Sequence, residues 1–592
     1  MRRPTVLCAA LAACAVSIAP PPAAPAAPPR LEWRGIVEGP YGPPWDHAAR
    51  ERVLRWMPSH GFNAYVHAPK DDLWQRTQWR DPYPPERQAE FDAEVRLARA
   101  RGIEWVPNLS PAVPLIPTPA APSGAPSRDL CFACPEDLDA VLAKLEPFRA
   151  AGARTFMLSF DDVAKTLTHP QDLAAYGPGD EGFGRANGDL LSRLYGALRE
   201  RTPDARLLTV GADYSGTADT AYLAGLRATL RREVGVMWTG LSVPSQEFAP
   251  EDAAAYGRAI GRRPLVWENW TNDDTAGNAT PHGTARLFLG PYRRRADAAG
   301  AVGGLFFNPM NEADLNLLPL ATAGDWMRDP ARYERRRSWL AAVKELAGRG
   351  RDRRALFRTL RAFAEASWST KLDLEEAPTF VRLSRAFLDR YEGGSWTSVD
   401  RGLREELWLA ETAGGRLGGL PNRAIAEQAR PFAEAAARAA GAGRLATELL
   451  AAERPALRLR RRGRRLVGVA LPPDRARAGE LRSAYRALDD ASRRDDRFVY
   501  GWRTPYAFEI PPYPVPPNAM NAYLDAVGAL DAAWQERADR AAAGPVAVTA
   551  GGRAVPVRAS GGFRLRRADC GRLVVATDGA GGRTARRAPR CR

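Results

Sequence analysis

The sequence predicts an α/β chain: a (β/α)8 barrel of the TIM type, then an all-α helical bundle, then a small C-terminal module expected to be β-rich. Three observations point there. Between residues 31 and 324, eight short apolar runs alternate with longer amphipathic ones, the rhythm of parallel strands joined by helices. No GxGxxG phrase follows the first run, which removes support for an open dinucleotide-binding sheet. Beyond residue 325 the apolar spacing becomes that of consecutive amphipathic helices.

The eight expected strands are residues 32–37, 63–67, 104–108, 155–160, 207–210, 234–238, 265–267 and 304–307. Helices are expected between them, over 46–59, 86–101, 135–150, 188–201, 220–231 and 250–261. The helix from Pro135 shows the reasoning. Leu138, Val141, Leu142, Leu145 and Phe148 recur at three- and four-residue spacing and make one apolar stripe. Pro135 suits a first helical turn and Gly152 a stop. The following Thr155-Phe156-Met157-Leu158-Ser159-Phe160 has the β-branched and aromatic content of a strand.

The bundle is expected as helices over 328–348, 352–368, 377–391, 398–413 and 423–453, with Leu356, Phe357, Leu360 and Phe363 as one stripe. Past residue 455 the pattern weakens: 505–517 is rich in Pro and Tyr, and 544–591 holds short apolar runs between glycines. The expected divisions are therefore a leader at 1–29, a barrel at 30–325, a bundle at 326–454 and a C-terminal region at 455–592.

Arg2 and Arg3 precede an apolar stretch from Thr5 to Ala19, and 20–29 is Pro/Ala-rich with small-residue sites such as Ala24-Pro25-Ala26. This reads as a signal peptide and gives a secreted or cell-envelope location. Leu11-Ala12-Ala13-Cys14 also resembles a bacterial lipobox, which would put a lipid anchor on Cys14, so free secretion and anchoring both stay open. No later segment has the apolar length of a transmembrane helix. Of the six cysteines, Cys131 and Cys134 form a lone CxxC, a weak zinc signal that fits a local disulfide or two thiols better. Cys570 and Cys591 are expected to close the tail as a disulfide.

The net charge of +16 could suggest a nucleic-acid partner, but the basic residues are mostly Arg amid abundant Ala, Gly and Pro, as a GC-rich genome produces. The one dense basic run, Arg458 to Arg465, lacks interleaved aromatics and any nucleic-acid motif. It reads as solvated surface or a contact with an anionic envelope, and no nucleic acid is expected.

Barrel chemistry sits at the C-terminal strand ends. The fourth strand runs into Phe160-Asp161-Asp162-Val163. Neighbouring like charges push one carboxyl's pKa upward, which suits a general acid. Such a pair alone fits a helix start or a divalent-cation site better. The other ends add Glu38-Gly39-Pro40-Tyr41-Gly42, Lys70-Asp71-Asp72, Asp213-Tyr214, Trp238-Thr239-Gly240, Trp267-Glu268-Asn269-Trp270 with Asn272-Asp273-Asp274, and Asn308. Aromatics, Asn and Asp on one rim describe a sugar site, and Trp238 is expected among its sugar-facing aromatics. Each also has a structural reading: Trp238 and Trp267 as barrel–helix packing, Lys70 as a partner of Asp71 or Asp72. Five scattered histidines without HxH or HExxH spacing argue against a zinc catalyst, and no GxSxG supports a serine hydrolase.

The phrases Gly35 to Trp45 (GIVEGPYGPPW), Tyr65 to Asp72 (YVHAPKDD), Trp79 to Tyr83, Ser159 to Val163, Val236 to Gly240 and Phe306 to Met310, in that order, resemble the catalytic domain of glycoside hydrolase family 84. The resemblance covers residues 31–339. It implies an exo-β-N-acetylglucosaminidase with a retaining, substrate-assisted mechanism through an oxazoline, acting on N-acetylglucosamine-containing glycans or glycoconjugates without metal or other cofactor. By resemblance, Asp161 orients the acetamido N–H and Asp162 is the general acid/base. Gly39 and Lys70 match sugar contacts, Tyr214 a tyrosine beside the acetamido pocket, and Asn269 and Asn308 sugar-binding asparagines. An acid after Asn269 is implied for the outer hydroxyls; ungapped spacing selects Asp274, the local Asn-Asp phrase Asp273, and Asp274 is preferred. The barrel is expected directly after the leader, without the N-terminal α/β domain some bacterial relatives carry.

Pro40 replaces the usual aromatic of its phrase, and Glu268 and Trp270 also depart from the family pattern, which bears on substrate preference. Two rival readings follow. One is a catalytically weak carbohydrate-binding protein on the same barrel. The other is a retaining glycosidase with an enzyme carboxylate as nucleophile, for which Glu38 or Asp274 would serve.

Overall fold

Each barrel strand forms where the apolar runs lie. The computed structural model describes residues 31–592 except 113–114, 116–129, 273–286, 371, 374, 393–400, 463–464, 495–518, 541–545, 580–582 and 591–592. In it β1 (Trp33–Glu38), β2 (Ala64–His67), β3 (Glu104–Leu109), β4 (Thr155–Ser159), β5 (Arg206–Val210), β6 (Gly235–Trp238), β7 (Leu265–Glu268) and β8 (Gly304–Phe307) pair in parallel in sequence order. β8 returns to β1, with Trp33 opposite Gly304 and Ile36 opposite Phe307, and closes the barrel.

Successive side chains on a strand face opposite sides, so each strand has an inner and an outer set. Trp33, Val37, Val66, Met157, Leu208, Met237, Trp267 and Phe306 fill the interior. Their neighbours Ile36, Tyr65, Phe156, Leu158, Val236, Trp238, Val266, Leu305 and Phe307 pack outward against the helices. This parity continues a residue or two past the strand ends and decides which side chains reach the mouth.

The helix Pro135–Ala151 starts on Pro135 and is capped by Gly152 at φ 122°, as expected. The helix expected from residue 188 begins instead at Gly179 and runs Gly179–Arg201. Glycines weaken a helix in isolation. Here they admit a neighbour: a Cβ on Gly184 would stand 2.1 Å from Tyr222 O, and one on Gly188 2.7 Å from Leu226 O, both on the helix Ala221–Thr229. Close packing overrides propensity. Cys131 and Cys134 form a disulfide just before the Pro135 helix.

Beyond the barrel lie the helices Leu317–Arg328, Arg335–Leu346, Arg353–Glu365, Pro378–Glu392, Arg401–Glu411 and Arg423–Ala452. The single helix expected over 328–348 is broken after Arg328, where Pro330 lacks a backbone N–H. Leu360 and Phe363 are buried in the bundle core, and Leu356 and Phe357 pack against it from the same stripe. Two more helices, Arg475–Arg494 and Ala519–Arg540, add Leu481, Tyr485, Tyr523 and Leu524 to that core, so helical packing runs well past residue 454. The core also takes in Leu287, Phe288 and Leu289 from the β7–β8 connection. Leu289 N donates to Ser367 O at 2.8 Å, and Trp339 Nε1 to Leu289 O at 2.6 Å.

The C-terminal region is β-rich apart from those helices. Its strands are β9 (Ala456–Arg462), β10 (Arg465–Leu471), β11 (Ala547–Ala550), β12 (Arg553–Val555), β13 (Gly562–Leu565), β14 (Leu573–Thr577) and β15 (Arg583–Arg587). They form a three-stranded sheet β13-β10-β9 and a four-stranded sheet β12-β11-β14-β15 around Leu457, Leu466, Val548, Phe563 and Val574. Cys570 is disulfide-bonded; its expected partner Cys591 lies outside the described residues, as do Cys8, Cys14 and the leader. Among the described residues no helix is long and apolar enough to cross a membrane.

Candidate active site

β4 sets the centre. Met157 lines the interior, and Ser159, whose Oγ donates to Asn108 Oδ1 at 2.6 Å, follows on the same parity. Asp161 keeps that side beyond the strand and is 6 % exposed. Lys70 stands two residues past the inward Ala68 and donates from Nζ to Asp161 Oδ2. The same Nζ lies 3.6 Å from Asp162 Oδ2. Asp161 Oδ1 is buried and has no hydrogen-bond partner among the described residues. Lys70 therefore pairs with Asp161 rather than with Asp71 or Asp72.

Asp162 has φ 54°, in the left-handed region that favours glycine and that side chains enter at a cost. The turn takes its carboxyl to two phenols: Tyr41 OH donates to Oδ2 and Tyr214 OH to Oδ1, each at 2.8 Å. Burial pushes this carboxyl's pKa up, but the Lys70 ammonium, the two phenol donors and the nearby Arg76 outweigh it and hold Asp162 below the usual carboxylate value. The upward push expected from adjacent acids is thus not what the free site shows. A cation stands between the two carboxylates and screens one from the other. Burial, with the Asp162 charge, raises the Tyr41 phenol and keeps it a donor.

The opposite rim is built from β7 and β8. Asn269 follows the inward Trp267 by two residues, and Asn308 follows the inward Phe306 by two. Asn269 Oδ1 accepts from Trp267 Nε1 at 3.0 Å and from Asn308 Nδ2 at 2.8 Å, and Asn308 Oδ1 accepts from Gly39 N at 3.2 Å. A Cβ on Gly39 would stand 2.5 Å from Trp267 Cζ2, so only glycine lets the indole lie at the mouth. The Trp267 ring lies 5.9 Å from Lys70 Nζ.

The structure thus gathers Gly39, Lys70, Asp161, Asp162, Tyr214, Asn269 and Asn308 at one barrel mouth. It does not place Trp238 there. That side chain is 0 % exposed, stacks on Tyr256 at 5.4 Å and donates from Nε1 to Gly216 O at 2.8 Å. Trp238 has outward parity and belongs to the barrel–helix layer, which corrects the expectation of a sugar-facing ring. Asp273 and Asp274 lie outside the described residues. Glu38 also points outward: it is fully buried, bound by Arg50 Nε at 2.8 Å and Nη2 at 2.9 Å, and so cannot serve as a nucleophile in the barrel. Burial opposes its charge, yet Arg50 holds its pKa well below the ordinary value.

Tyr41 and Arg76 join the site without having been singled out. Arg76 is buried and donates toward Lys70 O at 3.5 Å. For Tyr41 the signal was its place in the glycine-rich phrase after β1; for Arg76 nothing local distinguished it from many other arginines.

A closed (β/α)8 barrel with paired acids and a sugar-type rim at its C-terminal mouth defines a barrel glycosidase. A family model for beta-N-acetylglucosaminidase matches residues 34–365, more than half of the chain, and the chain belongs to that family of glycoside hydrolases. It is similar to protein O-GlcNAcase of Rattus norvegicus, 28% identical over 301 residues, which take in 50% of this chain and 30% of that protein. Among solved structures it is similar to a mutant of the Thermobaculum terrenum O-GlcNAc hydrolase, with TM-score 0.65 and 23% identity over 86% of this chain and 97% of that one. It is also similar to CpGH84B, with TM-score 0.62 and 20% identity over 84% of this chain and 77% of that one. Identities this low speak to the fold.

Proposed function

We propose that this chain is an exo-acting, retaining β-N-acetylglucosaminidase in which the substrate's own acetamido group makes the first attack. The observation that carries this reading is the buried Asp161 Oδ1, without a partner among the described residues, on a carboxylate held by Lys70. Asp161 accepts the acetamido N–H and turns the carbonyl oxygen toward the anomeric carbon. As the bond from that carbon to the leaving oxygen breaks, the carbonyl oxygen closes onto it and an oxazoline forms. Positive charge grows on the amide nitrogen, and the fixed Asp161 carboxylate offsets it.

Asp162 gives its proton to the leaving oxygen and then takes one from the water that opens the ring, so configuration is retained. In the free site its pKa is depressed. A bound sugar adds to its burial, which pushes the carboxyl up and favours the protonated form that the first step needs. Asn269 and Asn308 hold ring hydroxyls, Trp267 flanks the sugar, and Asp274 takes the outer hydroxyls. The substrate class is a terminal β-linked N-acetylglucosaminide, including the protein-linked sugar that the rat relative's name describes.

The test pairs nitrophenyl β-N-acetylglucosaminide with nitrophenyl β-glucoside. Only the first should be hydrolysed, and a thiazoline mimic of the oxazoline should inhibit tightly. Comparable turnover of the glucoside, or a sugar trapped covalently on the protein, sinks the reading.

An exported location is proposed as well. It is supported by the basic, apolar and small-residue order of the leader and by the Cys131–Cys134 disulfide, which suits an oxidising compartment. Mass analysis of the mature N-terminus tests it and separates free secretion from a lipid on Cys14.

A further inference from the structure

The C-terminal three-stranded sheet has two unlike faces. One packs Leu457, Leu466, Ala470, Phe563 and Leu565 into the module's core. The other, by strand alternation, presents Arg458 and Arg460 from β9, Val467 and Val469 from β10, and Arg564 from β13. The register makes this regular. Val467 lies opposite Arg460 on one side and Arg564 on the other, and Val469 lies opposite Arg458 and Gly562. An aliphatic strand is therefore flanked by guanidinium-bearing strands, whose outer arms lie about 10 Å apart across two strand spacings.

These residues, with Arg558, line a concavity of about 530 Å³. The three strands contain no acidic residue. Arg458, Arg460, Arg558 and Arg564 are exposed and make no ion pair among the described residues. Other arginines nearby do have acidic partners: Arg553 with Asp569 in the same module, Arg482 with Asp531, Arg444 with Glu411. A set of cations left unmatched on one concave face is an electrostatic footprint for an anion.

We infer that this face binds an acidic polysaccharide, a chain whose carboxylate or sulfate groups meet the arginines while its C–H faces lie along Val467 and Val469. Guanidinium matches both oxyanions in bidentate geometry. Among the described lining residues the one aromatic, Phe563, is buried in the module's core, so these residues offer no stacking platform of the kind single-stranded nucleic acid requires. A concave face also suits an extended chain better than a bilayer surface, which calls for an apolar face that inserts. The site is separate from the barrel mouth, and its occupancy does not depend on what the barrel hydrolyses.

Affinity electrophoresis of the full chain tests this, in native gels containing polygalacturonate, heparin, neutral dextran or duplex DNA at about 0.15 M salt, where long-range charge is screened. The net charge of +16 makes a charge-matched control necessary. Arg460→Gln with Arg564→Gln should weaken binding to polygalacturonate, to heparin or to both by about tenfold or more. Arg351→Gln with Arg354→Gln, which removes the same charge from the bundle surface, should leave it within about twofold. The two acidic gels tell carboxylate from sulfate recognition. Unchanged melting temperature and unchanged turnover of a nitrophenyl N-acetylglucosaminide establish that the groove variant is folded. Equal loss in both double variants, retardation by dextran, or tighter binding to DNA than to either acidic polysaccharide overturns the inference.

Discussion

The inner and outer walls of the barrel both carry carboxylates at or just past the strand ends, and their fates are opposite. Asp161 follows the inward residues of β4, and its Oδ1 has no partner among the described residues. Glu38 and Glu268 end β1 and β7 on outward parity, and each is gripped by an arginine. Arg50 binds Glu38, and Arg294 binds Glu268 through Nε and Nη2 at 2.9 Å each, with Tyr292 OH on the same carboxylate at 3.0 Å. A strand-end acid becomes chemistry or scaffold according to which wall it faces. The same division separates Trp267, inside, from Trp238, outside.

The strongest way to break this comparison is at Asp162. Asp162→Asn should lower kcat/KM by about 10²–10⁴ on an N-acetylglucosaminide with a poor leaving group, with the melting temperature near that of the parent. Undiminished turnover would remove the acid from the inner wall. On the outer wall, Arg294→Met should leave Glu268 buried without its cation and cost about 3–5 kcal/mol of stability in urea titration. The folded fraction should keep its turnover. Lost activity with intact stability would erase the distinction between the walls.

A smaller effect sharpens the site itself. Tyr41→Phe removes one donor to the ionised form of Asp162, so that carboxyl's pKa rises. A general acid with a higher pKa keeps its proton to higher pH. The alkaline limb of the kcat/KM profile should therefore move upward by about one pH unit or less, and a downward shift contradicts the role of the phenol. The least change is expected at Trp238. Trp238→Phe gives up the bond to Gly216 O and should cost about 1 kcal/mol of stability with KM unmoved. A several-fold rise in KM would return that ring to the sugar.

Much of the barrel could be read from the sequence because strand periodicity and helix stripes are local. Thr155 to Phe160 and the Pro135 helix depend only on their own residues. What escaped was relational. The length of Gly179–Arg201 comes from a second helix that needs its glycines. The Arg475–Arg494 helix is so rich in arginine that its apolar stripe is thin without the bundle to receive it. The depressed pKa of Asp162 comes from Lys70, distant in sequence, entering between two acids. Counting by twos from Met237 gives Thr239 as the inward residue, and from Met157 it gives Asp161, so parity alone would have kept Trp238 out of the site. Asp162 breaks parity through its left-handed backbone, which no pattern announces.

The seating of Leu287, Phe288 and Leu289 among the bundle helices has a practical result for anyone trimming this gene. A fragment cut at residue 325, where the barrel pattern ends, would strip those three side chains of their apolar bed and leave Leu289 N without Ser367 O. The smallest piece worth expressing therefore extends through the helix Ala519–Arg540, whose Tyr523 and Leu524 share that core.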